Sequence, residues 1–196
     1  MAVLRDVMAG MVAAIREQAG DAVELLGLSL PEVPAQIPTV HFTAALELIG
    51  NGLGEDVVDA PDLAPAHERW LCEWAGREFG SEYVLVEGYP TAARAFYTHP
   101  DPARPGYSNS FDLLFRGLEL VSGAQRLHRY EDYLAALAAR GDDPAAFPGY
   151  LDVFRHGLPP HGGFAVGLER WVARLVGATN IREVTLFPRD LHRLTP

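Results

Sequence analysis

The stretch H-G-G-F-A-V-G-L-E-R at residues 161–170 decides how the chain is read. Gly162 and Gly163 open a short apolar run of strand character, Phe164-Ala165-Val166. Gly167 then turns the chain into an amphipathic helix predicted over 168–176 and closed by Gly177. A strand running straight into a helix leaves backbone N–H groups free at the turn, where negative charge is favoured. Arg170 falls in that first helical turn, where its cation opposes the helix dipole. A residue set against its local preference invites a functional reading, and an anionic ligand would resolve the conflict.

The second informative stretch lies upstream, F-D-L-L-F-R-G-L-E-L-V-S-G-A-Q-R-L-H-R-Y at 111–130. Residues 110–115 and 118–121 read as paired strands around Arg116-Gly117. Glu119 then sits among Leu118, Leu120 and Val121, where a carboxylate needs a cation or several hydrogen bonds to offset desolvation. Ser122-Gly123 is expected to break the strand and aim the serine hydroxyl back toward Glu119. A glutamate and a hydroxyl, completed by water and phosphate oxygens, suit Mg²⁺. Arg126 carries a planar fork that fits a carboxylate through two parallel hydrogen bonds. The plainer alternative is that Glu119 and Arg126 simply pair with each other or with water. Asp112 is expected to hydrogen-bond within the sheet.

Working outward, residues 2–19 carry Leu4, Val7, Met8, Met11, Val12 and Ile15 at helical spacing, ending at Gly20. Pro31, Pro34 and Pro38 give an extended connector. Thr43 is expected to cap a helix that Gly50-Asn51-Gly52 stops, and Pro65 to open one reaching Gly80. Further strands are predicted at 83–86, 94–98 and 184–187. Helices are predicted at 130–140 and from Asp143-Pro144 toward Gly157, with Pro148 disturbing the second. Trp70, Trp74 and Trp171 lie among apolar neighbours and read as core. The pattern is that of an α+β protein on a mainly antiparallel sheet flanked by helices. A mostly helical part is expected at 1–80 and a sheet part carrying the site at 81–196.

Composition narrows the chemistry. With 196 residues, 48% hydrophobic and 21% charged, the chain can bury a globular core. A formal net charge of −10 argues against broad nonspecific nucleic-acid binding by these residues. All 16 basic residues are arginine, so no lysine serves as base, Schiff-base former or phosphate clamp. Cys72 is the single cysteine, which excludes an internal disulfide and a multi-cysteine zinc site. His99, His128, His156 and His161 lack zinc-binding spacing, and neither a P-loop nor a G-x-S-x-G elbow is present. No targeting segment or membrane-spanning run is seen, so a cytoplasmic protein is expected.

Together these stretches resemble the aspartyl-tRNA synthetases of archaeal and eukaryotic type. The segment S-N-S-F-D-L-L-F-R-G-L-E-L-V-S-G-A-Q-R-L-H-R-Y at 108–130 is similar to their amino-acid-binding strand region. The motif at 161–170, N-I-R-E-V-T-L-F-P-R-D at 180–190 and the terminal R-L-T-P look like their motif 3 and C-terminus. Tyr89-Pro90 and Arg94-Ala95-Phe96-Tyr97 resemble a preceding strand, with Ala95 replacing a usual proline. Ala165 likewise stands where motif 3 often has glycine.

The resemblance implies part of a class II catalytic domain using ATP, Mg²⁺, L-aspartate and tRNA. Glu119 would hold Mg²⁺ and contact ATP, Ser122 would help bind Mg²⁺ and aspartate, and Arg126 would grip the aspartate side chain. Gly167, Leu168, Glu169 and Arg170 would line the ATP site, and no side chain is assigned as catalytic acid or base. Motif 1, through which the family forms homodimers, motif 2 with its F-R-x-E arginine, and the anticodon-binding domain are not found. The expectation is the C-terminal half of a catalytic domain, starting inside a helix between motifs 2 and 3, with an apolar helix face on Val3, Val7, Met11 and Ile15 left exposed. Two alternatives stand beside the ligase: a paralogue making asparagine without tRNA, and an inactive binding module.

Overall fold

The structure, a computed structural model, describes residues 2–192, so the terminal R-L-T-P lies outside the described residues. Among these, α1 (Ala2–Gln18) and α2 (Gly20–Leu25) lead through an extended connector to β1 (Thr39–His41). There follow α3 (Phe42–Leu53), α4 (Pro65–Phe79), β2 (Tyr83–Glu87), β3 (Ser110–Phe115) and β4 (Leu118–Arg126). The chain ends with α5 (Tyr130–Arg140), α6 (Pro148–Arg155), β5 (His161–Val166) and α7 (Leu168–Val176). The five strands form one sheet in order β1-β2-β3-β4-β5, parallel only between β1 and β2. The fold is α+β.

Each face of the sheet buries a different set of helices. Val84, Val86 and Leu114 face α3 and α4, meeting Phe42, Ile49 and Leu71. Leu85, Leu113 and Val121 face the other way, onto Leu4, Met8 and Val12 of α1 and Trp171 and Leu175 of α7. Helix α1 is therefore held by Leu4, Met8 and Val12, while Met11 and Ile15 are partly buried against the same cluster. Val3 and Val7 remain exposed. A third cluster, Leu127, Tyr133, Leu137, Leu151 and Phe154, ties α5 to α6.

Several expectations change. Residues 94–98 are not a strand: a 3₁₀ turn at Thr91–Ala93 and the bonds Arg94 N–H to Thr91 C=O and Thr98 N–H to Ala95 C=O curl this segment into a loop. Residues 184–187 are not one either, because the Asn180 side chain accepts from Arg182 N–H and starts a 3₁₀ turn at Ile181–Val184, leaving Leu186 and Phe187 exposed. His41, not Thr43, caps α3: its side chain accepts from Thr43 N–H. That helix continues through Gly50-Asn51-Gly52 to Gly54, because Gly52 serves packing rather than termination. A Cβ there would lie 2.0 Å from the Trp70 ring.

The most consequential change concerns Ser122-Gly123, which does not break β4. The strand runs through both residues, and Gly123 is the small residue wedged between two aromatics. A Cβ on it would come within 2.4 Å of Phe111 Cζ and 2.7 Å of Phe164 Cβ. The irregularity lies earlier. Leu113 pairs with Val121 while Leu114 pairs with Glu119, so Leu120 is one residue extra on β4. Gly123→Ala is expected to overpack this crossing and lower stability by about 1–3 kcal/mol, read as a lower midpoint in urea unfolding. An unchanged midpoint would show that the two rings can move aside.

Candidate active site

The bulge gathers the polar residues. Along a regular strand Glu119 and Ser122, three residues apart, would point to opposite faces. Here Leu120 and Val121 both enter the α1/α7 core, so Glu119 and Ser122 emerge together on the other side. Register says the same: Glu119 is opposite Leu114 and Ser122 opposite Asp112, and those two residues are two apart on β3. Ala124 and Arg126 continue on that face.

Asp112 is buried and takes a two-pronged contact from Arg94, with Nη2 to Oδ2 at 2.6 Å and Nη1 to Oδ1 at 3.2 Å. Arg94 Nη1 also donates to Ser122 Oγ at 3.3 Å, and the guanidinium lies 3.7 Å from the Tyr89 ring centroid. With that donor occupying one lone pair of Ser122 Oγ, the hydroxyl keeps its own proton to donate elsewhere. The bidentate pair fixes the arginine in a low-mobility geometry that a lysine could not reproduce.

Glu119 pairs with Arg170, not Arg126. Arg170 Nη1 donates to the Glu119 carbonyl at 2.7 Å and to Oε1 at 3.2 Å. Gly167 makes this possible: a Cβ there would press on Arg170 at 3.1 Å. Leu168, Glu169 and Arg170 form the exposed first turn of α7 beyond the end of β5. Arg126 stands apart. Its guanidinium lies 5.1 Å from the Tyr97 ring centroid and close to Gly163, and it makes no ion pair among the described residues.

Burial first, and then the neighbouring Asp112 carboxylate, push Glu119 above the usual carboxylate range, against the pull of Arg170 and Arg94. Glu68 on α4 is raised too, chiefly by burial. Among the described residues no three His, Cys, Asp or Glu side chains converge as a metal cage. A carboxylate and a hydroxyl whose shell would be finished by water and phosphate oxygens still fit Mg²⁺, which seldom takes an all-protein cage. Cys72 is buried, its thiol pushed up to about 11, and plays no part as a nucleophile.

Sequence reading had singled out Glu119, Ser122, Arg126 and the 167–170 turn, and the structure brings Glu119, Ser122 and Arg126 to one face with Arg170 at its edge. It missed Arg94, Asp112, Tyr97 and Glu68 as neighbours of these groups. Asp112 had a signal, an acid at a core-facing place in S-F-D-L-L-F. Arg94 and Tyr97 stand in the resembling stretch Arg94-Ala95-Phe96-Tyr97 without an assigned role, and Glu68 has no signal, because these contacts are long-range.

The comparisons with known proteins agree with one another. Residues 1–191 match the family described as tRNA synthetases class II (D, K and N). The chain is 47% identical over 189 residues to an aspartate–tRNA(Asp/Asn) ligase of Thermus thermophilus, covering 96% of this chain and 44% of that protein. It is 43% identical over 194 residues to the enzyme of the same name from Deinococcus radiodurans, again covering 96% and 44%. An aspartyl-tRNA synthetase structure from Entamoeba histolytica superposes with a TM-score of 0.91 at 34% identity, covering 100% of this chain and 41% of that one. An asparaginyl-tRNA synthetase from Pyrococcus horikoshii, complexed with asparaginyl-adenylate, gives 0.87 at 32% identity, covering 100% and 45%. The chain thus spans about 44% of the length of the curated relatives it matches.

The raised values of Glu119 and Glu68 carry a stability consequence. Below the ordinary carboxylate range both groups are protonated folded and unfolded, and neither matters. As pH rises through that range the unfolded chain ionises first, so folding is disfavoured until the raised values are passed, and the cost persists at neutral pH. Glu119→Gln, without Mg²⁺ or nucleotide, is expected to raise the urea midpoint at neutral pH and leave it unchanged at about pH 3, where both states are protonated. A lower midpoint at neutral pH would refute the assignment.

Proposed function

The chain belongs to the class II tRNA synthetases (D, K and N), and we propose that it supplies the amino-acid and ATP contacts of an aspartate–tRNA ligase. The observation that carries the choice of amino acid is Arg126. It is an arginine without a carboxylate partner among the described residues, on the polar face of β4, with its guanidinium lying against Gly163. Such a cation favours a substrate ending in a carboxylate over one ending in an amide.

In this reading the side-chain carboxylate of L-aspartate binds Arg126 and Ser122 donates to the substrate. Glu119, with Ser122, is where Mg²⁺ would be held, and Mg²⁺ would supply charge neutralisation for the triphosphate. Arg170 faces the terminal phosphates, and Gly167, Leu168 and Glu169 line the nucleotide. An oxygen of the aspartate α-carboxylate attacks the α-phosphorus of ATP, forming the acyl–phosphate bond as pyrophosphate leaves. A terminal tRNA hydroxyl then attacks the aspartyl carbonyl and AMP departs. Neither step requires a protein nucleophile; both require alignment and neutralised charge. A face of fixed arginines, a carboxylate and a hydroxyl supports that chemistry.

Aspartate-dependent ATP–pyrophosphate exchange, followed by tRNA charging, tests the reading in the complete gene product containing these residues. Exchange with asparagine in place of aspartate would overturn the amino-acid choice, and ammonia-dependent asparagine formation without tRNA would favour a tRNA-independent synthetase. Arg126→Ala is expected to cost about 3–5 kcal/mol of aspartate binding, a rise in aspartate KM of at least about a hundredfold, with ATP KM little changed. A near-normal aspartate KM would sink the role of Arg126.

A further inference from the structure

We infer that Glu68, on α4, is the positioning residue for Glu119; the inference rests on the reading above only for the consequence in catalysis. The β4–β5 ladder ends at Val121 and Val166, and Gly167 N–H to Leu120 C=O at 2.9 Å is the last bond between the two segments before α7 begins. Glu119 lies one residue past that point, beside the bulge, with no β5 residue opposite it. Two side chains take the place of the missing strand. The Glu119 N–H donates to Glu68 Oε2 at 3.0 Å, and its C=O accepts from Arg170 Nη1 at 2.7 Å.

Glu68 suits this task. It stands in the first turn of α4, where the helix dipole favours a carboxylate, and it makes no ion pair among the described residues. The helix start is itself docked on the β3–β4 turn. A Cβ at Gly117 would lie 2.9 Å from Arg69 Cγ, so Gly117 lets α4 approach that closely. A backbone N–H without a partner in a half-buried site is unfavourable, and a bulge that lost its anchor could slip by one residue. Such a slip would turn Glu119 into the α1/α7 core. Of the two groups on the Glu119 backbone, Arg170 is committed to phosphate in the proposed reaction. Glu68 is the contact that remains while nucleotide is bound, and it touches neither substrate.

The test compares Glu68→Gln, which keeps an acceptor oxygen, with Glu68→Ala, which removes it. Amide hydrogen exchange by NMR, in the complete gene product without Mg²⁺ or ATP, uses the Leu113 amide as internal reference for global stability. Glu68→Ala is expected to speed exchange at the Glu119 amide about tenfold or more relative to Leu113, and Glu68→Gln to stay within about twofold of the parent protein. In aspartate-dependent exchange, the Mg²⁺ concentration for half-maximal rate should rise about 10- to 100-fold in the alanine variant and recover in the glutamine variant. Unchanged Glu119 protection in the alanine variant overturns the inference, as does equal loss in both variants, which would make the charge and not the acceptor the active feature. A parent protein without aspartate-dependent exchange would instead defeat the proposed function, while the amide measurement still judges the positioning.

Discussion

Side chains alternate along a β-strand, so a glutamate and a serine three residues apart cannot share a face unless the strand takes up an extra residue between them. Leu120 is that residue. By sending Leu120 and Val121 into the same apolar layer, β4 changes phase once and keeps the new phase through Ser122, Ala124 and Arg126. Everything polar on this face depends on the change. Without it, either Glu119 or the Ser122–Arg126 series would be pressed among Leu4, Met8, Val12 and Trp171. Neither arrangement could survive, since an unpaired carboxylate or guanidinium in that layer is far costlier than a bulge.

The charges that result are arranged against one another with little slack. Arg94 neutralises Asp112 on both oxygens and still reaches Ser122, while its flat side lies on Tyr89. The absence of lysine is consistent with this pattern, because an ammonium could satisfy only one of those geometries at a time. Glu119 is left half-buried beside Asp112, and burial first and then that carboxylate displace it upward against the pull of Arg170 and Arg94. Arg126 has the opposite imbalance, a cation resting on an aromatic ring with no anion paired to it among the described residues. A site that keeps one carboxylate under-neutralised and one arginine unpaired gives up some stability and leaves both open to a ligand.

Much of the architecture could be read from residues alone, and the failures have physical causes. The hairpin at Arg116-Gly117, the β5-to-α7 turn at Gly167 and the start of α4 at Pro65 are local, set by glycine and proline, and were legible. Gly52 and Gly123 misled because a glycine can serve close packing as well as termination, and only the positions of Trp70, Phe111 and Phe164 distinguish the two. Residues 94–98 and 184–187 have strand composition but form loop and turn: local hydrogen bonds curl 91–98, so that only Thr98 meets the end of β4, at Arg126, and a 3₁₀ turn takes up 181–184. Glu119, Ser122 and Arg126 stand out through type and resemblance, and Ser122 is expected to turn toward Glu119, yet the means is a bulge at Leu120 and not a break at Ser122-Gly123. The phase change comes from one unpaired residue that no periodicity marks.

Arg170 shows how a local anomaly can be settled within the fold and still have consequences. Placed at a helix N-terminus, its cation is unfavourable there, and the Glu119 carbonyl and carboxylate together relieve it. Under the proposed function, the groups that would face Mg²⁺ and the terminal phosphates are each other's partners before either ligand arrives. In that reading Mg²⁺–ATP would exchange one ion pair for two, with Glu119 holding the metal and Arg170 the phosphate. Each charge would then keep an opposite partner throughout, which matters most for the half-buried Glu119. The exchange also requires that Glu119 keep its place after Arg170 has let go of its carbonyl. A strand neighbour would ordinarily ensure that, but β5 has already left the sheet, and the contact to Glu119 N–H comes instead from α4, on the face of the sheet away from α1 and α7.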